Sequence, residues 1–220
     1  RILIGAIESA QDQGAGIGAI AAVQASVDIF VPYPGKYAEA GFSIKDINEG
    51  ENISYFLEIS NLGTEDFNIA PLIKIYDTNK KEIISKPLES VTILSKEKKQ
   101  FLGNIEYGFK PGPYLYEAIL NYGKEIRLKG SFRVGMFFMN ITDYSYTFEE
   151  QKINKFNIEA ENLWNSKLEN VYSEIIITDN GEVLDRFKTS SADFEPWQKQ
   201  NLTGFFDAAK IKEGKYLANI

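Results

Sequence analysis

The sequence predicts an all-β protein built as two sandwich domains in tandem. Three observations carry this. Apolar and polar residues alternate in short runs from Ser26 onward; Gly, Pro, Asn and Asp separate those runs; and several segments recur about 100 residues later in the same order. Alternation of period two places every second side chain in a core and its neighbours in water, which is the pattern of a half-buried strand.

The runs Ile53–Ile59, Leu72–Tyr76, Tyr114–Leu120 and Ile126–Val134 read as strands, rich in β-branched and aromatic residues. Asp77–Lys81 and Asp179-Asn180-Gly181 read as hairpin turns, the second supplying a glycine where positive φ is wanted. Only Phe205 to Lys210 suggests a turn of helix, and Val91 to Phe101 is too polar and irregular to assign. Segments align across the two halves: Phe56–Leu62 with Phe156–Leu163, Ile75–Ile83 with Ile175–Val183, Lys99–Leu102 with Lys199–Leu202, and Pro111–Leu115 with Glu213–Leu217, at displacements of 100 to 102. Four ordered matches imply one domain present twice.

A unit of this length, with about seven short strands and turn signals every 8 to 12 residues, predicts an immunoglobulin-like sandwich. The expected division is residues 1–25 as an N-terminal extension, 26–136 as the first Ig-like sandwich and 137–220 as the second. Tyr114 and Tyr216 are placed either to hydrogen-bond back to the preceding corner or to sit in the core, while Trp164 and Trp197 are expected in core or inter-sheet packing. The run Val31-Pro32-Tyr33-Pro34-Gly35-Lys36-Tyr37, the Asn-Leu-Gly at 61–63 and the Pro-Gly-x-Tyr-Leu at 111–115 resemble the tandem Ig-like modules, of CARDB and NEW3 type, of archaeal cell-surface and S-layer-associated proteins. That resemblance implies an extracellular, cell-surface location and a structural or adhesive role. Trp164 in place of Gly63, and Lys215 in place of Pro113, depart from it in the second copy.

In the first copy a turn at Asn121–Lys124 leads into a closing strand, Glu125 to Val134; the second copy reaches Ile220 without that strand. An open sandwich invites strand addition. The odd-numbered apolar row Ile17, Ala19, Ala21, Val23, Ala25, Val27, Ile29 and Val31 predicts an extended N-terminal strand segment. Spanning roughly 50 Å, it is longer than one sandwich edge needs. On this reading Ser26–Val31 pairs within its own first sandwich, and Ile17, Ala19, Ala21, Val23 and Ala25 form an assembly strand for the second sandwich of the next copy, giving a head-to-tail polymer. The alternatives are a fragment of a longer ectodomain, a flexible small-residue leader at Gly14–Ala25, or a secretory signal cleaved after Ala25, which Glu8 and Asp12 oppose.

Composition narrows the chemistry. The chain of 220 residues has 31 Asp plus Glu against 24 Lys plus Arg, a net charge of −7 that opposes binding to nucleic acid. It has neither Cys nor His, so Ser-His and Cys-His nucleophiles, thiolate metal sites and imidazole bases are excluded. No apolar run is long enough to span a membrane as a helix. The acids at Glu49–Glu51, Glu65-Asp66 and Glu149-Glu150 read as solvated turns, Asp77–Asn79 and Asp179–Gly181 lack the spacing of a calcium loop, and Gly14-x-Gly16-x-Gly18 lacks the context of a phosphate loop. No catalytic, cofactor or metal site is therefore expected. Asn52, Asn140 and Asn201 each open an Asn-x-Ser/Thr glycosylation acceptor. The expected function is a non-catalytic surface or filament subunit whose partners are copies of itself or other envelope proteins. The alternatives are an adhesive or ligand-binding module and an accessory domain of a hydrolase.

Overall fold

In the computed structural model, which describes residues 2–6, 23–27, 31–209 and 211–220, every regular element is a β-strand. An N-terminal hairpin joins β1 (Ile2–Ala6) to β2 (Val23–Val27) in antiparallel register, Ile4 opposite Ala25 and Ala6 opposite Val23. This revises the expected long strand: Ser26 and Val27 pair with Leu3 and Ile2 rather than with the first sandwich, and Val31 lies exposed outside any strand. Ile17, Ala19, Ala21 and the glycines from Gly14 to Gly18 fall outside the described residues.

The first sandwich follows as β3 (Ala38–Ile44), β4 (Ile47–Asn48), β5 (Ile53–Asn61), β6 (Phe67–Ile69), β7 (Leu72–Tyr76), β8 (Glu82–Pro87), β9 (Val91–Ile93), β10 (Lys98–Ile105), β11 (Gly112–Asn121) and β12 (Glu125–Gly135). One sheet has the order β10-β5-β3 and the other β4-β12-β11-β7-β8, with a small β6-β9 ladder at the side. The leading strand changes sheets at Lys45-Asp46: β3 pairs antiparallel with β5, whereas β4 runs parallel to β12. Burial follows the alternation. Ile53, Tyr55, Leu57, Ile59 and Asn61 of β5 face inward; Ile53 and Tyr55 cluster with Ile73 and Ile75 of β7 and Phe132 and Val134 of β12, and Leu57 and Ile59 with Phe67, Ile93 and Leu120. Each such fully buried aliphatic or aromatic side chain contributes about 1.5–3 kcal/mol.

The second sandwich repeats the plan with β13 (Met139–Tyr144), β14 (Ile153–Asn162), β15 (Leu168–Val171), β16 (Glu174–Asp179), β17 (Glu182–Lys188), β18 (Ala192–Phe194), β19 (Lys199–Asp207) and β20 (Leu217–Asn219). Its sheets are β13-β14-β19 and β17-β16-β20, with β15-β18 as the small ladder. Among the described residues it has no counterpart of β12, so the chain is two tandem Ig-like β-sandwiches with the second lacking its last strand. Phe205 belongs to β19, which overturns the helical turn expected over 205–210; Asp207 ends the strand by accepting from the Ala209 amide.

Strand pairing corrects the repeat register. Lys98 lies opposite Ser60 and Lys199 opposite Glu161, so these segments correspond at a displacement of 101, not 100. Tyr55, rather than Phe56, is the counterpart of buried Phe156, and Ile73 and Ile75 correspond to Ile175 and Ile177. A one-residue slip would have turned every core side chain outward. Both tyrosine corners form: Tyr114 Oη donates to the Lys110 carbonyl at 2.9 Å and Tyr216 Oη to the Lys212 carbonyl at 2.7 Å, each four residues upstream. The hairpin turns form as well. Asp77 Oδ1 accepts from the amides of Asn79 and Lys81 at 2.9 Å, and Asn180 and Gly181 both take positive φ between β16 and β17.

Candidate assembly site

Each sandwich buries one asparagine completely, Asn61 and Asn162, at the end of corresponding strands. The reason is local. After β5, Asn61 Oδ1 accepts from the Gly63 amide at 3.0 Å, while its Nδ2 donates to the carbonyls of Glu65 and Ile93 at 2.9 and 3.1 Å. After β14, Asn162 Oδ1 accepts from the Trp164 amide at 2.9 Å, while its Nδ2 donates to the carbonyls of Ser166 and Glu195 at 2.9 and 3.0 Å. One primary amide thus satisfies backbone groups that a loop could not pair within itself, and it ties that loop to the turn before the next long strand.

In the second sandwich this loop carries Trp164, Asn165 and Ser166, and the turn carries Trp197; the first sandwich has Gly63, Thr64, Glu65 and Lys96 at the corresponding places. Trp197 and Lys96 both have φ near +60°, so the left-handed conformation belongs to the shared turn, and the indole is what the second copy adds. These additions meet the first sandwich. Asn165 donates its backbone N–H to Asn48 Oδ1 and its Nδ2 to the Asp46 carbonyl, both at 2.8 Å, and its Oδ1 accepts from Trp197 Nε1 at 3.1 Å. The Arg133 guanidinium lies 4.1 Å from the centre of the Trp197 ring and pairs with Asp46 at 3.2 Å. Across the connecting segment, Met136 N donates to Leu163 O and Leu163 N to Phe138 O, each at 3.0 Å, and the Phe137 ring meets Trp164 edge to face.

Asn48 is held for this contact by its own surroundings: its N–H donates to Glu51 Oε2 at 2.8 Å, and the Gly135 carbonyl accepts from Glu49 N at 2.8 Å. Gly135 permits the close approach, because a Cβ there would lie 2.9 Å from both Asn165 N and Leu163 O. Lys167, next in the same loop, donates to Asp193 at 2.8 Å, and that bond holds the Asp193 carboxyl below its usual range. The tryptophans therefore serve the contact between the sandwiches and not a core, contrary to the expectation from their size.

The second feature is the edge of β20. This strand pairs with β16 through Leu217, Ala218 and Asn219, and on its other side no strand lies beside it among the described residues. In the first sandwich β12 fills that position, with Phe132 packed on Tyr114 and Phe109. Without it Ile220 is 41% exposed where its counterpart Ala118 is fully buried, whereas Leu217 faces outward as its counterpart Leu115 does.

The predicted site residues are scattered. Val23 and Ala25 lie on β2 within the N-terminal hairpin. Asn52 is exposed in the turn before β5, Asn201 is exposed on β19, and Asn140 is half-buried on β13. The acidic pairs act locally: Glu51 caps the β4 turn, Asp66 accepts from Ser95 N at 2.7 Å, and Glu149 pairs with Lys152. Among the described residues, no cluster of three carboxylates is arranged to hold a metal. The junction residues went unpredicted as a site; the repeated Asn-Leu at 61–62 and 162–163 was the signal, read there only as a repeat.

No family model matches the chain, and no curated protein matches it. Solved structures give distant likenesses. Red sea bream transglutaminase aligns with a TM-score of 0.41 and 13% identity over 76% of this chain and 27% of its own. Escherichia coli alpha-2-macroglobulin activated by porcine elastase aligns with a TM-score of 0.36 and 8% identity over 84% and 20%. The chaperone-tip adhesin complex of CFA/I fimbriae biogenesis aligns with a TM-score of 0.33 and 11% identity over 82% and 97%. The chain thus spans about a quarter of the first and a fifth of the second. Likeness at this level transfers neither activity nor partner.

Proposed function

We propose that the chain is a non-catalytic structural module of an extracellular surface layer or filament, two Ig-like sandwiches acting as one stiff unit. The observation that carries this is the junction. Asn48, Asn165, Arg133 and Trp197 form a directional hydrogen-bonded and stacked contact where a flexible linker would leave the sandwiches free to swing. The exposed acceptor asparagines Asn52 and Asn201 suit such a location. So does the resemblance of the Pro-Gly-x-Tyr-Leu and Asn-Leu-Gly motifs to archaeal surface modules. Assembly follows by addition of a strand beside β20, in the place β12 holds in the first sandwich, with Ile17–Ala25 of a second copy as the proposed donor.

Negative-stain imaging of the purified chain tests both parts. A narrow distribution of angles between the two sandwiches supports a stiff unit, and a broad one refutes it. End-to-end polymers that vanish when residues 1–25 are deleted support the donor strand. Monomers at every concentration, with and without those residues, eliminate it.

A further inference from the structure

The two sandwiches treat one edge differently. In the second, the segment following β17 lies against the edge strand β19: Thr189 forms an antiparallel bridge with Gly204, and Ser190 N donates to Thr203 O at 2.9 Å. Phe187 packs beneath, on Phe156 and Phe206 and over Gly204. The edge of that sheet is covered by extended backbone.

In the first sandwich the corresponding segment, Leu88 to Ser90, keeps the bond that anchors it on one side, Leu88 N to Pro71 O at 2.8 Å, which matches Thr189 N to Ser173 O. Among the described residues no backbone bond joins it to β10. A groove of about 550 Å³ opens there instead, floored by Tyr55, Leu88, Val91 and Phe101. Lys86 stands where the second sandwich has Phe187, and its Nζ reaches across to the Asn104 carbonyl at 2.7 Å. Asn104 O therefore points away from β5. The alternation of an antiparallel ladder turns the N–H and C=O of Leu102 the same way. Thr203, the counterpart of Leu102, is the residue whose carbonyl is taken by Ser190 in the second sandwich.

We infer that the edge of β10 in the first sandwich is a docking groove for an extended peptide, which adds as a strand to Leu102 and Asn104 and sets alternate apolar side chains on Leu88, Val91 and Phe101. The second sandwich shows what fits: extended backbone, in the same register, on the same edge. Lys86 sets the chemistry at one end. It has no carboxylate partner within ion-pair distance among the described residues, so a peptide acid there exchanges a carbonyl contact for an ion pair. This site is separate from the edge of β20 and stands independently of the proposed assembly.

The test is titration of the isotope-labelled full chain with a capped heptapeptide that alternates valine and threonine and carries one aspartate, followed by amide chemical shifts. Saturable shifts confined to β10 and residues 86–91, with slowed exchange of the Asn104 amide, are expected. Leu102→Pro removes an outward N–H that β5 does not use, and it should weaken binding at least about tenfold while the rest of the spectrum stays in place. Replacing the peptide's aspartate by asparagine should weaken binding about threefold at low salt, a difference that Lys86→Met abolishes. If Leu102→Pro loses its dispersed spectrum, Asn104→Pro, which removes the other outward N–H of the same edge, must weaken binding at least about tenfold. Absence of shifts at millimolar peptide, shifts concentrated on β20, or binding unaffected by whichever of these two variants remains folded overturns the inference.

Discussion

Gly135→Ala isolates the junction. The glycine's φ is not positive, so alanine suits the backbone and adds only a methyl group. That methyl would lie 2.9 Å from Asn165 N and 2.9 Å from Leu163 O, both backbone atoms of the second sandwich that cannot swing aside as a side-chain tip does. Ordinary contact requires a retreat of about 0.5 Å. The bonds nearest the methyl are Met136 N to Leu163 O at 3.0 Å and Asn165 N to Asn48 Oδ1 at 2.8 Å. Retreat carries both toward about 3.3–3.5 Å, the limit of useful hydrogen bonding. Weakening two bonds at about 0.5–1.5 kcal/mol each, together with residual overpacking, gives about 1–3 kcal/mol. For a chain of this size that lowers Tm by about 2–10 °C if the sandwiches unfold together, or splits the transition in two if they do not. Calorimetry reads the stability, and small-angle scattering reads the loss of a fixed inter-sandwich distance. A Tm within about 1 °C of the parent with an unchanged scattering curve would refute the reasoning.

Asn162→Ala and Asn61→Ala each strand several buried backbone groups, and urea unfolding should show a loss of about 2–4 kcal/mol, with the Asn162 variant also weakening the junction. Tyr114→Phe and Tyr216→Phe each remove one corner bond, so about 1 kcal/mol should be lost from the sandwich concerned by the same measurement. With no His and no Cys, stability should be flat between about pH 5 and 8. Below that the sign is set by acids that lysine hydrogen bonds hold under their ordinary values: Glu58 by Lys98, Glu97 by Lys99, Glu159 by Lys199 and Asp193 by Lys167. Their contribution is complete above the ordinary values of 4.5 and 3.8 and is lost as pH falls through the depressed folded values. Since Asp193 is exposed and Glu58, Glu97 and Glu159 are only half-buried, Tm should fall only gradually with acid, and 0.5 M salt should shrink the effect.

Period-two patterning made β5, β7, β11 and β12 legible in the sequence, because their inward positions are mostly large and apolar and polar or charged residues recur between them. The strand β3 was missed because Ala38, Ala40, Gly41 and Ser43 carry too little side chain to show alternation; only its pairing with β5 reveals it. The helix suggested at Phe205 failed for the opposite reason: Phe205 and Phe206 are adjacent aromatics, yet in β19 one faces solvent and the other the core. The repeat was visible, but its register was not. Matching Phe56 to Phe156 by identity ignores that a strand's two faces are chemically distinct, and burial puts Tyr55 in that place. The junction was least legible. Asn48, Asn165, Arg133 and Trp197 are far apart in sequence and individually unremarkable in a loop or at a strand end. Comparison of the two copies exposes them: where the repeat has Thr64 and Lys96, the second sandwich has Asn165 and Trp197, and those substituted positions are the ones that touch its neighbour. In a duplicated fold the shared residues report how each unit folds, and the residues that differ at equivalent positions report what each unit is in contact with.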